Sequence, residues 1–126
     1  MSFTNFLETE ILDHVFAGAA YSAPSQHYLA LFTGAPGETG GGTEVSGGGY
    51  TRKAIAFTTS GATTSNNAAV EFPTATGNYG TVTHVAVFDA ASSGNMMAYA
   101  TLSASKVIET GDVFRVPTGD LDITLN

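Results

Sequence analysis

The sequence Thr81-Val82-Thr83-His84-Val85-Ala86-Val87-Phe88 indicates the fold most strongly, because it is a run of β-branched and apolar residues. An ideal strand places Val82, Ala86 and Phe88 on one face and Val85 and Val87 on the other. Apolar residues on both faces are typical of a strand that is covered on both sides. We therefore predict a central strand at this position.

Further strands are predicted on either side of it. His27-Tyr28-Leu29-Ala30-Leu31-Phe32-Thr33 is also apolar on both faces and predicts a second central strand. Shorter strands separated by turns rich in glycine, asparagine, aspartate and proline are predicted at 52–58, 70–72, 96–102, 106–108, 113–116 and 121–125. Such a series without a second long helix predicts a mainly β protein, either an antiparallel β-sandwich or a jelly-roll-like barrel, with one N-terminal α-helix.

The N-terminal segment, residues 1–17, is predicted to form that helix. Apolar residues recur there at every fourth position: Phe3, Leu7, Ile11 and Val15. Ser2 or Thr4 can cap its start, and Gly18 can end it. Because Leu12 and Phe16 lie partly outside the main stripe, we expect the helix to contact its own sheet or another subunit on a second side.

Residues 34–49 contain eight glycines and Pro36, a density that predicts a long loop. They do not match a phosphate-binding loop, because the spacing is wrong and a strand follows where a helix should begin. The loop is either merely flexible or lies over a neighbouring subunit. We predict a single domain, 1–126, in which a β-body of residues 50–126 continues from the strand at 27–33.

Composition excludes several classes of protein. The 126 residues carry a formal net charge of −7 and only four basic residues, which argues against nucleic-acid binding. There is no cysteine for a disulfide or a thiolate metal site, and no run approaches the roughly 18 apolar residues of a membrane span. Charged residues make up only 12% of the chain, which favours a surface covered by neighbours and a homo-oligomer.

The sequence contains no constellation typical of catalysis or metal binding. The three histidines, at positions 14, 27 and 84, lack the paired spacing of zinc ligands. The carboxylate pairs Glu109 with Asp112 and Asp120 with Asp122 lie in or beside turns, where aspartate commonly accepts backbone hydrogen bonds. No serine has a nucleophile-elbow pattern around it. We therefore predict no catalytic residue, no cofactor and no metal, and hence no enzymatic activity.

Several segments spread over nearly the whole chain resemble one class of protein. They are Leu12-Asp13-His14, Tyr28-Leu29-Ala30-Leu31-Phe32-Thr33, Glu44-Val45-Ser46-Gly47-Gly48-Gly49-Tyr50-Thr51-Arg52, Phe72-Pro73, Gly80-Thr81-Val82-Thr83-His84-Val85, Phe88-Asp89 and Gly111-Asp112. In these segments the chain resembles small virion proteins of tailed bacteriophages and prophages, which are tail-fibre-like proteins or capsid cement (decoration) subunits. The resemblance implies a structural component of a virion that is assembled in the host cytoplasm.

Among such roles, capsid cement is favoured, because a compact domain with flexible arms suits the bridging of capsomers. Its partners would be the major capsid protein and other copies of the chain. One alternative is a tail-fibre or tail-tip component involved in host attachment, which would contact tail proteins. Another is a small carbohydrate-binding module with Tyr50, Tyr79 and Tyr99 as candidate contacts. The residues predicted to bind partners lie in the helix and around the glycine-rich loop: Phe3, Phe6, Leu12, Phe16, Glu44, Val45, Tyr50 and Arg52.

Overall fold

The structure is a computed structural model that describes residues 1–125. Its elements in this range are β1 (Ser2–Phe3), α1 (Asn5–Phe16), β2 (His27–Gly34), β3 (Thr43–Glu44), β4 (Lys53–Ile55), β5 (Phe57–Ser60), β6 (Thr63–Asn66), β7 (Val70–Glu71), β8 (Gly80–Phe88), β9 (Met96–Ile108), β10 (Arg115–Val116) and β11 (Asp122–Thr124). None of the helical segments among these residues has the length and apolar character needed to cross a bilayer.

The largest sheet contains both predicted central strands. Its order is β1-β9-β8-β2-β3, and β4 also pairs with β2. All of its strand pairs are antiparallel, with Ala30 opposite Ala86 between β2 and β8 and Val85 opposite Ala100 between β8 and β9. The prediction that β2 and β8 lie inside the sheet is therefore confirmed.

Two small antiparallel sheets, β7-β10 and β5-β6-β11, complete the β-structure. The main core contains residues from the largest sheet together with residues in and beside the small ones, and includes Leu29, Leu31, Val70, Phe72, Val82, Val85, Val87, Phe114, Val116 and Leu121. The predicted antiparallel sandwich with one helix is confirmed, and the described strands do not close into a barrel.

The faces of β8 differ from the prediction at one residue. Val82 belongs to the main core together with Val85 and Val87, whereas Ala86 and Phe88 lie in a second cluster with Phe32 on the opposite face. The cause is an irregularity in the pairing with β9, because the register shifts between Val82 and His84. Such a shift alters the strict alternation of side chains along the strand.

The helix begins later than predicted. Ser2 and Phe3 are extended and pair with Tyr99 and Ala98 of β9, so Phe3 lies in a strand and not in the helix. Thr4 caps α1: its hydroxyl accepts a hydrogen bond from the backbone N–H of Leu7 at 3.5 Å and donates one to the carbonyl oxygen of Met96 at 2.6 Å. Because Ser2 and Phe3 pair with β9 in an extended conformation, they cannot be part of the helix.

The end of the helix agrees with the prediction. Gly18 has a φ of +74°, and the N–H of Ala19 donates to the carbonyl oxygen of Asp13 at 3.1 Å. This bond closes a seven-residue turn around Gly18, and a glycine in the left-handed region commonly ends a helix. Gly18 is therefore the stop signal of α1.

The glycine-rich segment is more regular than a loop. Within it, β3 pairs with β2, with Glu44 opposite Phe32, and the N–H of Val45 donates to the carbonyl oxygen of Leu31 at 2.9 Å. Gly48 has a φ of +61° and lies so close to Gly77 that an added Cβ would be 2.5 Å from the Gly77 carbonyl oxygen. The prediction of a loop throughout 34–49 is therefore wrong at β3, and close packing against Gly77 requires a glycine at position 48.

The sheet β5-β6-β11 is built largely from hydroxyl side chains. Thr59 donates to Thr64 at 3.0 Å, and the hydroxyls of Thr63 and Thr124 are 2.9 Å apart. The strand β6 was not predicted, because its sequence Thr-Thr-Ser-Asn contains no apolar residue. Its buried member, Asn66, is held by hydrogen bonds to the backbone of three residues: Ala68, Pro117 and Leu121.

Candidate interaction surface

Three of the predicted partner-binding residues contact one another inside the protein. Arg52 forms two parallel hydrogen bonds with the Glu44 carboxylate, from Nη2 to Oε1 at 2.8 Å and from Nε to Oε2 at 2.9 Å. The Tyr50 hydroxyl donates to Glu44 Oε2 at 2.7 Å and accepts from the N–H of Leu31 at 3.1 Å. We call Glu44, Tyr50 and Arg52 the arginine cluster.

The guanidinium of Arg52 also joins two separate parts of the chain. Its Nη1 donates to the carbonyl oxygens of Ala90 at 2.9 Å and Ser93 at 2.8 Å, both in the β8–β9 loop. Its Cζ lies 3.6 Å from the centre of the Phe88 ring, a cation–π contact. Only 7% of the side chain is exposed. Arg52 therefore ties the segment after β3 to the β8–β9 loop and has little surface left for a partner.

The ionisation of the cluster fits a structural role. Burial raises the pKa of Glu44, but hydrogen bonds from Arg52 and Tyr50 outweigh burial, and the net pKa lies below its usual value. Burial, followed by the hydrogen bond to the Glu44 carboxylate, raises the pKa of Tyr50. The carboxylate is thus charged and the phenol neutral near neutral pH, each held by its partners. Val45, a fourth predicted residue, is buried in the main core.

The predicted residues near the end of the helix, in contrast, are exposed. Leu12 is 57% exposed and Phe16 is 81% exposed, and Val15 beside them is 60% exposed. The three positions i, i+3 and i+4 lie on neighbouring turns of one helix surface. We call Leu12, Val15 and Phe16 the helix-end patch. Phe6, nearer the start of α1, is half-buried and packs edge-on against Tyr21 with the ring centres 6.5 Å apart.

An apolar groove of about 340 Å³ lies beside the first turns of the helix. Its lining is drawn from distant parts of the sequence and includes Phe3, Leu7, His27, Phe57, Ile123 and Leu125. Burial lowers the pKa of His27, so the groove carries no formal charge at neutral pH. No residue of this groove other than Phe3 is among the predicted partner-binding residues. The only sequence signal was the alternation of Leu121, Ile123 and Leu125 along the last strand.

The aromatic residues considered for carbohydrate binding are not gathered at the surface. Tyr50 packs against Phe72 with the rings nearly parallel and against Tyr79 with the rings nearly perpendicular. Tyr79 is buried, and Tyr99 is half-buried elsewhere, next to the second apolar cluster. The three tyrosines therefore do not form an exposed platform on which a sugar could stack.

The remaining polar candidates have local structural partners. The Asp112 carboxylate accepts from the N–H of Glu109 at 2.9 Å, which is the turn role predicted for it. His14 accepts through Nδ1 from the N–H of Tyr21 at 3.1 Å, and Asp122 accepts from the hydroxyl of Ser65. Within residues 1–125, no three histidine or carboxylate groups lie close enough together to hold a metal ion.

Comparison with known proteins identifies the family. A family model described as Podophage GP4 fiber I protein gp80 matches residues 2–124. No curated protein sequence matches the chain. The family model covers all of the described elements, including the arginine cluster and the helix-end patch. Because the match spans almost the whole sequence, this protein belongs to the Podophage GP4 fiber I protein gp80 family and is a structural protein of a tailed-phage virion.

Proposed function

We propose that the chain is a non-enzymatic subunit of a fibre on a tailed-phage virion, and that it acts by contacting other virion proteins and other copies of itself. The family match is the observation that carries this proposal. A fibre subunit needs a stable fold and an adhesive surface, and it needs no reaction centre. The β-sandwich provides the first requirement and the helix-end patch provides the second.

The family match favours a fibre over capsid cement. The sequence alone favoured cement, because a compact domain with flexible arms suits the bridging of capsomers. The glycine-rich segment, however, is partly a strand of the main sheet and not a free arm. With that arm anchored, and with a fibre protein as the matching family, the fibre alternative has the stronger support.

The absence of enzymatic activity is part of the proposal. The charged groups that the structure brings together, Glu44 and Arg52, neutralise each other and tie two loops. The helix-end patch is apolar and contains no nucleophile or general base. A surface of this chemistry binds by excluding water and does not polarise a substrate.

The helix-end patch is proposed as the surface that contacts a neighbouring virion protein. Complete burial of one large apolar side chain is worth about 1.5–3 kcal/mol, so Leu12, Val15 and Phe16 together can contribute several kcal/mol to an interface. Weak single contacts of this kind become strong when many copies bind to one particle. The patch therefore suits a subunit that is incorporated in several copies.

Labelling of the intact particle tests the location. Purified virions are treated with gold-labelled antibodies raised against the folded protein and are viewed by electron microscopy. We expect gold at a fibre and none on the head shell. Gold distributed over the shell would support cement and contradict the fibre, and particles that contain none of the protein would contradict both.

A pair of variants tests the surface. Phage that carry Leu12→Ser with Phe16→Ser should incorporate much less of the protein into particles, because the patch loses most of its apolar area. The matched control is Val113→Ser, which changes another exposed apolar residue at a turn away from α1. Equal incorporation of the double variant and the control would refute the role of the helix-end patch.

A further inference from the structure

A second groove of about 410 Å³ lies between β9 and the segment 114–122. Four charged side chains line it, two of each sign: Lys106, Arg115, Asp120 and Asp122. All four are exposed. We call this the mixed-charge groove. It lies along the middle of β9, from Ala100 to Lys106, whereas the helix packs near the start of that strand.

Neither cationic side chain of this groove forms an ion pair with another described residue. Within residues 1–125, the single ion pair is that between Arg52 and Glu44. Among the residues that the structure describes, Lys106 therefore has no carboxylate within ion-pair distance. Glu71 is opposite Arg115 in the pairing of β7 with β10, but their charged groups are not within 4.0 Å.

The net charge of the chain limits where two copies can contact each other. Two copies that each carry a formal charge of −7 repel each other over most of their surfaces. Of the four basic residues, Arg52 is enclosed in the arginine cluster, which leaves Lys53, Lys106 and Arg115. Two of these three line the mixed-charge groove. Self-association is therefore least opposed by charge at this groove.

The adjoining part of β9 is also uncovered. On the outer side of β9, β1 pairs only with Ala98 and Tyr99. On the inner side, Thr101 pairs with His84 and Lys106 with Val82, so among the described strands none pairs with residues 102–105. Val107, which follows this segment after Lys106, is 60% exposed. Residues 102–105, which pair with no described strand, and the exposed Val107 thus lie beside the mixed-charge groove.

We propose that the mixed-charge groove is the contact surface between two copies of the chain that are related by a two-fold axis, with Lys106 of each copy facing Asp120 of the other. A two-fold axis brings the same patch of both molecules together, so a patch that carries both signs can be complementary to itself. The inference rests on the part of the proposed function in which copies contact one another, and it assigns that contact to particular residues.

Charge reversal on each side of the proposed contact provides the test. In analytical ultracentrifugation the wild-type protein should form a dimer of twice the 12.9 kDa chain mass. Lys106→Glu alone and Asp120→Lys alone should each weaken dimerisation by at least about tenfold, because each places two like charges opposite one another in both halves of the dimer. An equimolar mixture of the two variants should recover a heterodimer, because every contact again joins opposite charges.

The control is Lys53→Glu, which changes the net charge by the same amount outside the groove. It should leave the dimer within about threefold of the wild-type affinity. Circular dichroism of each variant checks the fold, and recovery in the mixture independently shows that both variants are folded. A monomeric wild-type protein, an unchanged Lys106→Glu dimer or a mixture that stays monomeric would each overturn the proposal.

The result is separable from that of the particle experiments. Ultracentrifugation of the purified protein reports on contacts between copies wherever the protein resides on the virion. Gold labelling reports on location whether or not the mixed-charge groove forms a dimer. Failure of the dimer with labelled fibres would therefore refute this inference alone, whereas a dimer without labelled fibres would refute only the proposed location.

Discussion

The arginine cluster and the helix-end patch invert the usual relation between polarity and exposure. Arg52, the most polar side chain of its region, is 7% exposed, whereas Phe16, the most apolar of its region, is 81% exposed. Arg52 is enclosed because every donor group it uses finds an acceptor within the chain. Phe16 is exposed because α1 continues beyond the part of the sheet on which its first turns pack.

The difference shows how a contact surface can be recognised in this protein. Both regions were predicted to bind partners, the first from an unusual glycine-rich sequence and the second from an extra apolar side of a helix. The charged residues Glu44 and Arg52, beside the glycine-rich segment, form their hydrogen bonds with each other and with other groups of the same chain. The exposed apolar side chains of the helix-end patch, in contrast, are left without contacts by the packing of the chain. The following predictions distinguish the arginine cluster from the helix-end patch.

The largest effect is expected from Arg52→Ala. This change leaves the partly buried Glu44 carboxylate with Tyr50 as its only side-chain partner among the described residues, and it removes the links to the β8–β9 loop. Loss of one partner of a buried ion pair costs about 3–5 kcal/mol, and we expect about 3 because Glu44 is partly exposed. Urea unfolding measures the loss, and a change below about 1 kcal/mol would show that the cluster is not a structural tie.

A glycine pair tests whether the backbone beside the cluster is equally fixed. Gly48→Ala should cost about 2 kcal/mol, because the new Cβ would contact the Gly77 carbonyl oxygen in addition to the strain of a positive φ. Gly47→Ala is the control: its φ is also positive, at +76°, but apart from its chain neighbours no described residue has an atom within 4 Å of the added Cβ. It should cost about 1 kcal/mol. Equal losses of unfolding free energy would refute the close packing of Gly48 against Gly77.

A smaller effect is expected from acid. The pKa of Glu44 is lower in the folded protein than its usual value of 4.5, so its ionisation stabilises the fold above that value. This contribution is lost as the pH falls through the lower, folded pKa. Glu44→Gln should therefore show less dependence of unfolding free energy on pH in this acid range than the wild type. Parallel pH profiles for the two proteins would contradict the assignment.

The smallest change in stability is expected at the helix-end patch. Phe16→Ser should alter the unfolding free energy by no more than about 0.5 kcal/mol, because the side chain is already largely in water. Thermal or urea unfolding gives the value. A loss of 2 kcal/mol or more, the size expected for a core residue, would mean that Phe16 packs within its own chain.

Much of the architecture was predictable where side-chain periodicity and turn chemistry agree. The strands β2 and β8 are long and apolar on both faces, and each lies inside the largest sheet as predicted. Gly18 ends α1, and Asp112 forms its turn, because both depend on contacts within a few residues. At each of these positions, the residue types that determine the local structure lie within a few residues of one another in the sequence.

The errors arose where pairing between distant segments decides the structure. Ser2 and Phe3 join β9 instead of the helix, and Val82 changes faces because of a register shift that its own sequence does not reveal. The strand β6 has no apolar residue and depends on neighbouring strands and on Asn66. Likewise, the sequence did not reveal that Arg52 is bound internally, because its acceptors Ala90 and Ser93 lie 38 and 41 residues away in the sequence.

The hydroxyl contacts of β5, β6 and β11 have a consequence for a particle that leaves its host cell. Thr59 with Thr64 and Thr63 with Thr124 connect neighbouring strands through uncharged groups. Dissolved ions weaken attractions between exposed charges but have little effect on bonds between neutral hydroxyls. We therefore expect the bonds between these hydroxyls to depend little on salt concentration, which suits a virion protein that meets different ionic strengths outside the cell.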